Sequence, residues 1–319
     1  MIGRSQQLVT VFGGNGFIGR YVCEALMKAG VRVRVACRDP RTAYFIQPLG
    51  QVGQLGVARA DITNRASVER AVDGATAVIN LPGVFGKAMR AVHANGARNV
   101  AEAAKAAKAG ALVHVSAIGA DPKSESLYGK TKGEGEQAVR SAFPKATIIR
   151  PSLVFGPDDD FTNRFASLGQ LPILPVIAPA TRFQPVYVRD LAKAIAKAAL
   201  EPQVHAAKSY EIGGPQVMTM REINQAIVDA SGSQTTLVDM PDSVASLLSK
   251  FGWLPGSPLT RDQWLMLQRD NVPAAGSSGL EAFGIEPTPL AAVAPEWLGR
   301  FHSGGRFAGH HRANLTATS

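Results

Sequence analysis

Leu8-Val9-Thr10-Val11-Phe12-Gly13-Gly14-Asn15-Gly16-Phe17-Ile18-Gly19 is the stretch on which the fold turns. Leu8–Phe12 is a short β-branched run and reads as a strand. Glycines at 13, 16 and 19 follow in G-x-x-G-x-x-G spacing. Phe17–Ala29 then reads as a helix whose apolar face is Phe17, Ile18, Val22 and Leu26. The three glycines do different things. Gly13 lets the chain turn sharply, Gly16 lets backbone approach a pyrophosphate, and Gly19 lets the helix pack against the strand. The helix start at Phe17 and Ile18 offers unpaired N–H groups and a positive dipole end to phosphates. A strand before the glycines and an amphipathic helix after them is the context that makes such a loop a dinucleotide site.

Outward from this loop, short β-branched runs alternate with Ala-rich helical stretches, the pattern of parallel βαβ units. Strands are expected at Val31–Cys37, Val57–Ala60, Ala75–Asn80, Ala111–Val115 and Ala146–Arg150. Helices are expected at Ser67–Val72, Ala88–Ala109 and Tyr128–Ala142. With Leu8–Phe12 this makes six strands and an α/β fold: a doubly wound parallel sheet of Rossmann type, with a smaller mixed α/β C-terminal lobe. The expected division is residues 1–150 for the NAD(P)-binding domain and 151–302 for the lobe, interleaved with the sheet. Prolines become frequent after Pro151. Strands are expected there at Pro185–Val188 and Ser209–Ile212, and helices at Asp190–Leu200, Thr219–Ser231, Pro241–Lys250 and Thr260–Arg269. Residues 303–319 are rich in Gly, His and Arg without periodicity and read as a disordered tail.

Composition narrows the classes. No apolar run approaches the roughly 18 residues of a membrane-spanning helix. The first residues lack a signal peptide's apolar stretch, so a cytoplasmic location is expected. Cys23 and Cys37 show neither disulfide nor metal spacing and read as free thiols; no metal site is expected. The net charge of +9 attracts polyanions, but the 34 Lys and Arg are scattered and not interleaved with aromatics. Nucleic acid is therefore not an expected partner; a membrane surface or an acidic protein fits better.

The residue closing the second strand reads the adenosine ribose. An acid there suits NAD and repels a 2′-phosphate. Here the strand closes Ala36-Cys37-Arg38-Asp39, and Arg38 stands where the acid is expected. A guanidinium suits a phosphate, so NADP(H) is the expected cofactor. NAD(H) stays open because Asp39, one position on, could face the ribose instead. Asp61, before Ile62, is placed to meet the adenine edge or, alternatively, to cap the next helix.

Tyr128-Gly129-Lys130-Thr131-Lys132 puts Tyr128 and Lys132 at i and i+4, on one face of a helix. With this Y-x-x-x-K segment after the fifth strand, the chain resembles the extended and atypical short-chain dehydrogenase/reductases, of the NAD-dependent epimerase/dehydratase kind, from residue 8 to about 230. Further segments carry the resemblance: Asn80-Leu81-Pro82-Gly83, His114-Val115-Ser116-Ala117, Arg150-Pro151-Ser152-Leu153-Val154-Phe155-Gly156-Pro157, Val186-Tyr187-Val188-Arg189-Asp190-Leu191-Ala192 and Tyr210-Glu211-Ile212-Gly213-Gly214-Pro215. It implies that Leu81, Ser116 and Pro151 wall the cofactor. It also implies that Tyr128 exchanges a proton with a substrate carbonyl, and that Lys132 binds the nicotinamide ribose and lowers the tyrosine's pKa.

Two positions depart from active members of that superfamily. They carry Ser or Thr two residues beyond the position of Ser116, where this chain has Ile118. They carry Asn three residues before the glycine of the long helix, where this chain has His93 before Gly96. Among subgroups the chain is most similar to the NADPH-binding accessory subunit of respiratory complex I and its α-proteobacterial relatives. That similarity rests on His114–Asp121, Phe155–Ala166, Leu259–Gln263, Arg269–Asn271 and Phe283–Leu290. It implies a nucleotide that stabilises the subunit, respiratory-complex protein partners, peripheral docking at the cytoplasmic face of the inner membrane, or a part in ubiquinone biosynthesis, with catalysis weak or silent. The alternatives are an active NAD(P)H-dependent reductase or epimerase on a small carbonyl or nucleotide sugar, and a nucleotide-sensing regulator.

Overall fold

The computed structural model describes Gly3, residues 6–250, Gly252 and residues 259–302. The tail expected at 303–319 lies outside the described residues. Six strands follow the sequence pattern: β1 (Leu8–Phe12), β2 (Arg32–Cys37), β3 (Leu55–Arg59), β4 (Ala77–Asn80), β5 (Ala111–Val115) and β6 (Thr147–Pro151). A seventh, Ser209–Ile212, joins them, correcting the expected six. It pairs with β6 in parallel, Tyr210 opposite Ile149. All pairings in the sheet are parallel. The spatial order is β3, β2, β1, β4, β5, β6 and then Ser209–Ile212, so the order reverses between β1 and β4. That reversal is where doubly wound sheets bind ligands, outside the carboxyl ends of the strands.

The central strands are buried on both faces, which is why β4 and β5 are buried at every residue and do not alternate. Helix α1 (Phe17–Lys28) packs with the helix Val188–Leu200 on one face. On the other face lie α2 (Arg65–Val72), α3 (Ala97–Ala106) and α4 (Leu127–Ala142). Val68, Val100, Ala104 and Val139 from these helices meet Phe12, Val78, Leu112 and Ile148 from the strands in one apolar cluster.

The long helix expected at Ala88–Ala109 is not uniform. Ala91–Gly96 is a π-helical segment that leads into α3. Such insertions concentrate at functional sites, and His93 is inside this one. Between β2 and β3 the chain forms a 3-10 helix, Pro40–Leu49, that burial of Ala43 and Ile46 at period three supports. Neither this element nor the helix Asp160–Leu168 was expected. The strand expected at Pro185–Val188 is only Val186–Tyr187, because Val188 opens the next helix.

The chain folds as two compact units. The first holds Met1–Ser152, Val188–Ile212 and Pro273–Glu286, hence the whole seven-stranded sheet. The second holds Leu153–Tyr187, Gly213–Val272 and Pro287–Ser319. Its paired strands include Ile173–Val176 with Thr236–Asp239, in parallel. Phe155 packs there between Tyr187 and Trp297.

Candidate functional site

The candidate cofactor-binding and catalytic residues, from Gly13 to Pro151, all lie in the first unit. Gly13 has φ +74, so the turn out of β1 is left-handed. Its N–H donates to the Ala36 carbonyl of β2 at 3.0 Å. A Cβ on Gly19 would lie 2.2 Å from the Gly13 carbonyl oxygen and 2.6 Å from the Gly14 Cα. Gly19 is therefore required by the loop's own backbone and not by the strand, as its spacing had suggested. Gly16 is the N-cap of α1 and supplies no side-chain cap. The first-turn amides at Phe17 and Ile18 are therefore not capped by a side chain from Gly16, and a helix start of this kind can offer such amides to an anion.

At the end of β2, Arg38 is exposed. Asp39 is occupied otherwise than a ribose ligand would be. Its carboxylate accepts from the Arg41 amide at 3.1 Å, caps the 3-10 helix, and takes Nε and Nη2 of the same arginine at 3.1 and 2.9 Å. The Arg41 hydrogen bonds hold its carboxyl below the usual carboxylate range, and Arg59 adds to the effect. Arg59 pairs in register with Cys37, so a third arginine stands at this edge of the sheet. Asn15 of the glycine loop donates to the Thr42 hydroxyl at 2.8 Å and ties the loop to the segment after β2. Asp61 does not cap α2; Asn64 does. Asp61 closes a tight turn by accepting from the Thr63 amide and hydroxyl at 2.9 and 2.8 Å. Those bonds keep its carboxyl low, helped by the nearby charge of Arg38. The Ile62 side chain is spent on the core, where a Cβ on Gly96 would meet it at 2.6 Å.

Leu81 follows β4, its N–H donating to the Phe12 carbonyl at 3.2 Å. The chain then runs past Lys132: a Cβ on Gly83 would lie 3.6 Å from Nζ. Ser116 follows β5 and donates its amide to Ile149 at 2.7 Å. The Ile118 amide reaches the Pro151 carbonyl at 3.1 Å, which brings together the ends of β5 and β6.

Helix α4 carries Tyr128 and Lys132. It is fixed against the sheet by Arg150, which takes Glu136 of α4 through Nε at 2.8 Å and Nη2 at 2.6 Å, and Glu211 of the seventh strand at 3.2 Å. Lys132 is buried and donates to the Val115 carbonyl at 3.1 Å. Burial pushes its pKa down to about 8, although Glu136 opposes the shift. Tyr128 is half-buried, and burial pushes its phenol up to about 12. The expected lowering of that phenol by Lys132 is absent, because the ammonium faces the Val115 carbonyl and lies 5.9 Å from the tyrosine ring centre.

His93 is not simply a lost partner. Its Nε2 accepts from the Val84 amide at 3.0 Å, so the ring proton sits on Nδ1 and donates to the Thr131 hydroxyl at 2.9 Å. It meets the Tyr128 ring edge-on at 5.3 Å. On the same face of the sheet, His114 bonds Asn80 at 3.0 Å. His114 Nε2, Asn80 Oδ1 and Ser116 Oγ are buried without a hydrogen-bond partner among the described residues. Burial, then the charge of Lys132, pushes both histidines down to about 3, so both are neutral.

The sequence reading gave no site role to Arg41, Arg59, Asn80, His114 or Phe85, whose ring stacks on Tyr128 at 4.8 Å, although Asn80 and His114 stood in segments that carried the resemblance. Arg41 was within reach of it, two residues beyond Asp39. The others depend on register and on loop geometry, which spacing does not carry.

Comparison with known proteins adds lineage to this geometry. The profile of the NAD dependent epimerase/dehydratase family matches residues 9–213. The mouse (Mus musculus) protein named NADH dehydrogenase [ubiquinone] 1 alpha subcomplex subunit 9, mitochondrial, is 33% identical over 302 residues, 92% of this chain and 80% of that one. A protein of Caulobacter vibrioides named ceramide reductase is 30% identical over 241 residues, 74% of each chain. Among solved structures, an NADPH-dependent quinone oxidoreductase from Escherichia coli, complexed with NADPH, superposes with TM-score 0.73 at 21% identity, covering 90% of this chain and 99% of that one.

Proposed function

The chain belongs to the NAD-dependent epimerase/dehydratase family, and on that premise we propose that it is an NADP(H)-binding accessory or assembly protein of quinone-linked respiration whose nucleotide does not turn over. The observation that carries this reading is position 118. Where a carbonyl oxygen would need a hydroxyl donor, Ile118 has only a hydrocarbon side chain. The raised phenol pKa of Tyr128 points the same way, since a proton donor poised near neutral pH would be shifted down. Losing a positioned donor costs orders of magnitude in rate.

No hydride transfer above background is expected with NADPH on aldehydes, ketones, quinones or nucleotide sugars, followed at the nicotinamide absorbance. Ile118→Ser should raise a trace activity. Robust wild-type turnover that Tyr128→Phe abolishes would reverse the reading. A second reading then stands ready: an active reductase, supported by the Caulobacter relative named a ceramide reductase and by the retained Tyr128 and Lys132.

The proposed setting is the cytoplasmic face of the inner membrane, docked on a respiratory assembly as the mouse relative's name suggests. No helix among the described residues is long and apolar enough to cross a membrane, and the +9 charge suits an anionic surface. Co-purification from native membranes tests this; a protein that never travels with a respiratory assembly sinks it. A role in ubiquinone biosynthesis is the other setting, and would appear as a lowered ubiquinone pool in a deletion strain whose respiratory assemblies are intact.

For the cofactor, Arg38, Arg41 and Arg59 favour a 2′-phosphate, and Asp39 is engaged by Arg41. Arg38→Glu should weaken NADPH by about 1.5–3 kcal/mol, the worth of a charge-assisted hydrogen bond. NADH should be little affected. Fluorescence titration decides; equal wild-type affinities for the two nucleotides would refute the preference.

A further inference from the structure

Phe85 stacks on the ring of Tyr128. Its ring lies 4.8 Å from the tyrosine ring, centre to centre, with 18° between the planes. It is nevertheless 60% exposed, so the stack holds an apolar ring largely in water. His93 meets the same tyrosine in a T-shaped contact, with 84° between the ring planes. Thus Tyr128 is contacted by a buried imidazole and covered on one face by an exposed phenyl ring.

The two contacts differ in how firmly they are built. His93 is buried, in a π segment, with both ring nitrogens bonded. Phe85 stands in Pro82-Gly83-Val84-Phe85-Gly86, between two glycines. Gly86 has φ +88, and a Cβ there would meet nothing within 4 Å. Val84 is pinned by its amide bond to His93. The segment therefore has a fixed point at Val84 and a permissive joint at Gly86, and Phe85 lies between them.

We propose that Phe85 is a resident stand-in for the ligand of the Tyr128 site, and that the site accepts a flat conjugated ring in its place. The swap is nearly balanced for such a ligand. One aromatic face leaves Tyr128 and another arrives, while offset stacking is retained. A puckered aliphatic ligand forfeits the ring-on-ring contact that the phenyl group already makes. The site thus selects for planarity before any polar group is read. This rests on Tyr128 facing the ligand, as in the function proposed above, and does not require that any hydride be transferred.

The test uses the full chain, wild type and Phe85→Ala, by calorimetric titration without nucleotide. The flat probe is duroquinone, whose ring is fully substituted and adds no thiol. The puckered probe is cyclohexane-1,4-dione. Removing the stand-in should tighten duroquinone about tenfold, as one stacking contact no longer needs displacing; a puckered dione entering the same site gains by the same factor, so duroquinone stays the tighter ligand in both proteins. An unchanged duroquinone affinity overturns the proposal, since the ring is then not in the ligand's way. A weakened one overturns it too, since Phe85 is then a ligand contact. A folding defect is excluded by melting Phe85→Ala with and without NADPH, where the wild-type shift should persist. A second readout is the ionisation of Tyr128, followed by ultraviolet difference titration against Tyr128→Phe. It should fall from about 12 toward the ordinary tyrosine value in Phe85→Ala. If NADPH fails to shift even the wild type, the cofactor reading falls, while the two titrations still decide for or against Phe85.

Discussion

Gly16→Val is expected to abolish the response of this chain to either nucleotide. Gly16 caps α1 with backbone alone, at φ −81 and ψ −179, a conformation open to any residue. A Cβ there would meet only the Gly13 carbonyl, at 3.3 Å, so the loop has to give by little. Gly19 would be the worse probe, because its added carbon would collide with the loop itself. At position 16 the loss falls on the ligand, whose pyrophosphate needs the space in front of the helix N-terminus. Bound nucleotide stabilises by about 2.7 kcal/mol at a hundredfold excess over Kd. The wild type should therefore melt higher in NADPH and the variant should not. A cofactor-dependent shift that survives in Gly16→Val would falsify the assignment of the loop.

Acid is expected to destabilise the sheet unit earlier than carboxylate titration alone would. His93 and His114 are both held neutral, with pKa values near 3 against 6.5 for the ordinary side chain. The unfolded chain therefore takes up their protons first. Their contribution is complete above about pH 6.5 and is lost as pH falls toward 3, at about 1.4 kcal/mol per pH unit for each histidine. His205 is shifted in the same direction by burial and adds to the slope. Between pH 6 and 5 the depressed carboxyls of Asp39 and Asp61 still contribute their stabilisation, so the fall in that window comes from the histidines. Denaturant midpoints across that window should fall steeply, and His114→Gln should flatten the fall by one histidine's share. An unchanged slope in that variant would mean that His114 is protonated in the folded chain.

What could be read in the sequence was what periodicity and glycine spacing encode. Leu8–Phe12, the loop of Gly13, Gly16 and Gly19, and α1 were recovered because each of their residues answers a local constraint. The α4 pair Tyr128 and Lys132 was recovered for the same reason, as i and i+4 on one helix. The seventh strand, Ser209–Ile212, was recognised as a strand, but its place beside β6 is a long-range pairing that no local pattern specifies. The relation between Tyr128 and Lys132 was also illegible. Whether the ammonium serves the phenol or the Val115 carbonyl depends on where β5 ends beneath α4. His93 looked like a missing asparagine, and only its two hydrogen bonds disclose that it is a brace.

That seventh strand also governs how the chain comes off the ribosome. β6 ends at Pro151, and its outer neighbour does not begin until Ser209. At synthesis rates of about 5–20 residues per second, the roughly 60 residues between them take about 3–12 seconds. For that interval a nascent chain with its first six strands correctly paired would present β6 as an open, hydrophobic edge, the kind of surface that recruits other strands. Arg150 would meanwhile have Glu136 but not yet Glu211. Chaperone occupancy on stalled nascent chains should therefore peak once β6 has left the exit tunnel, and fall once Ser209–Ile212 has followed it.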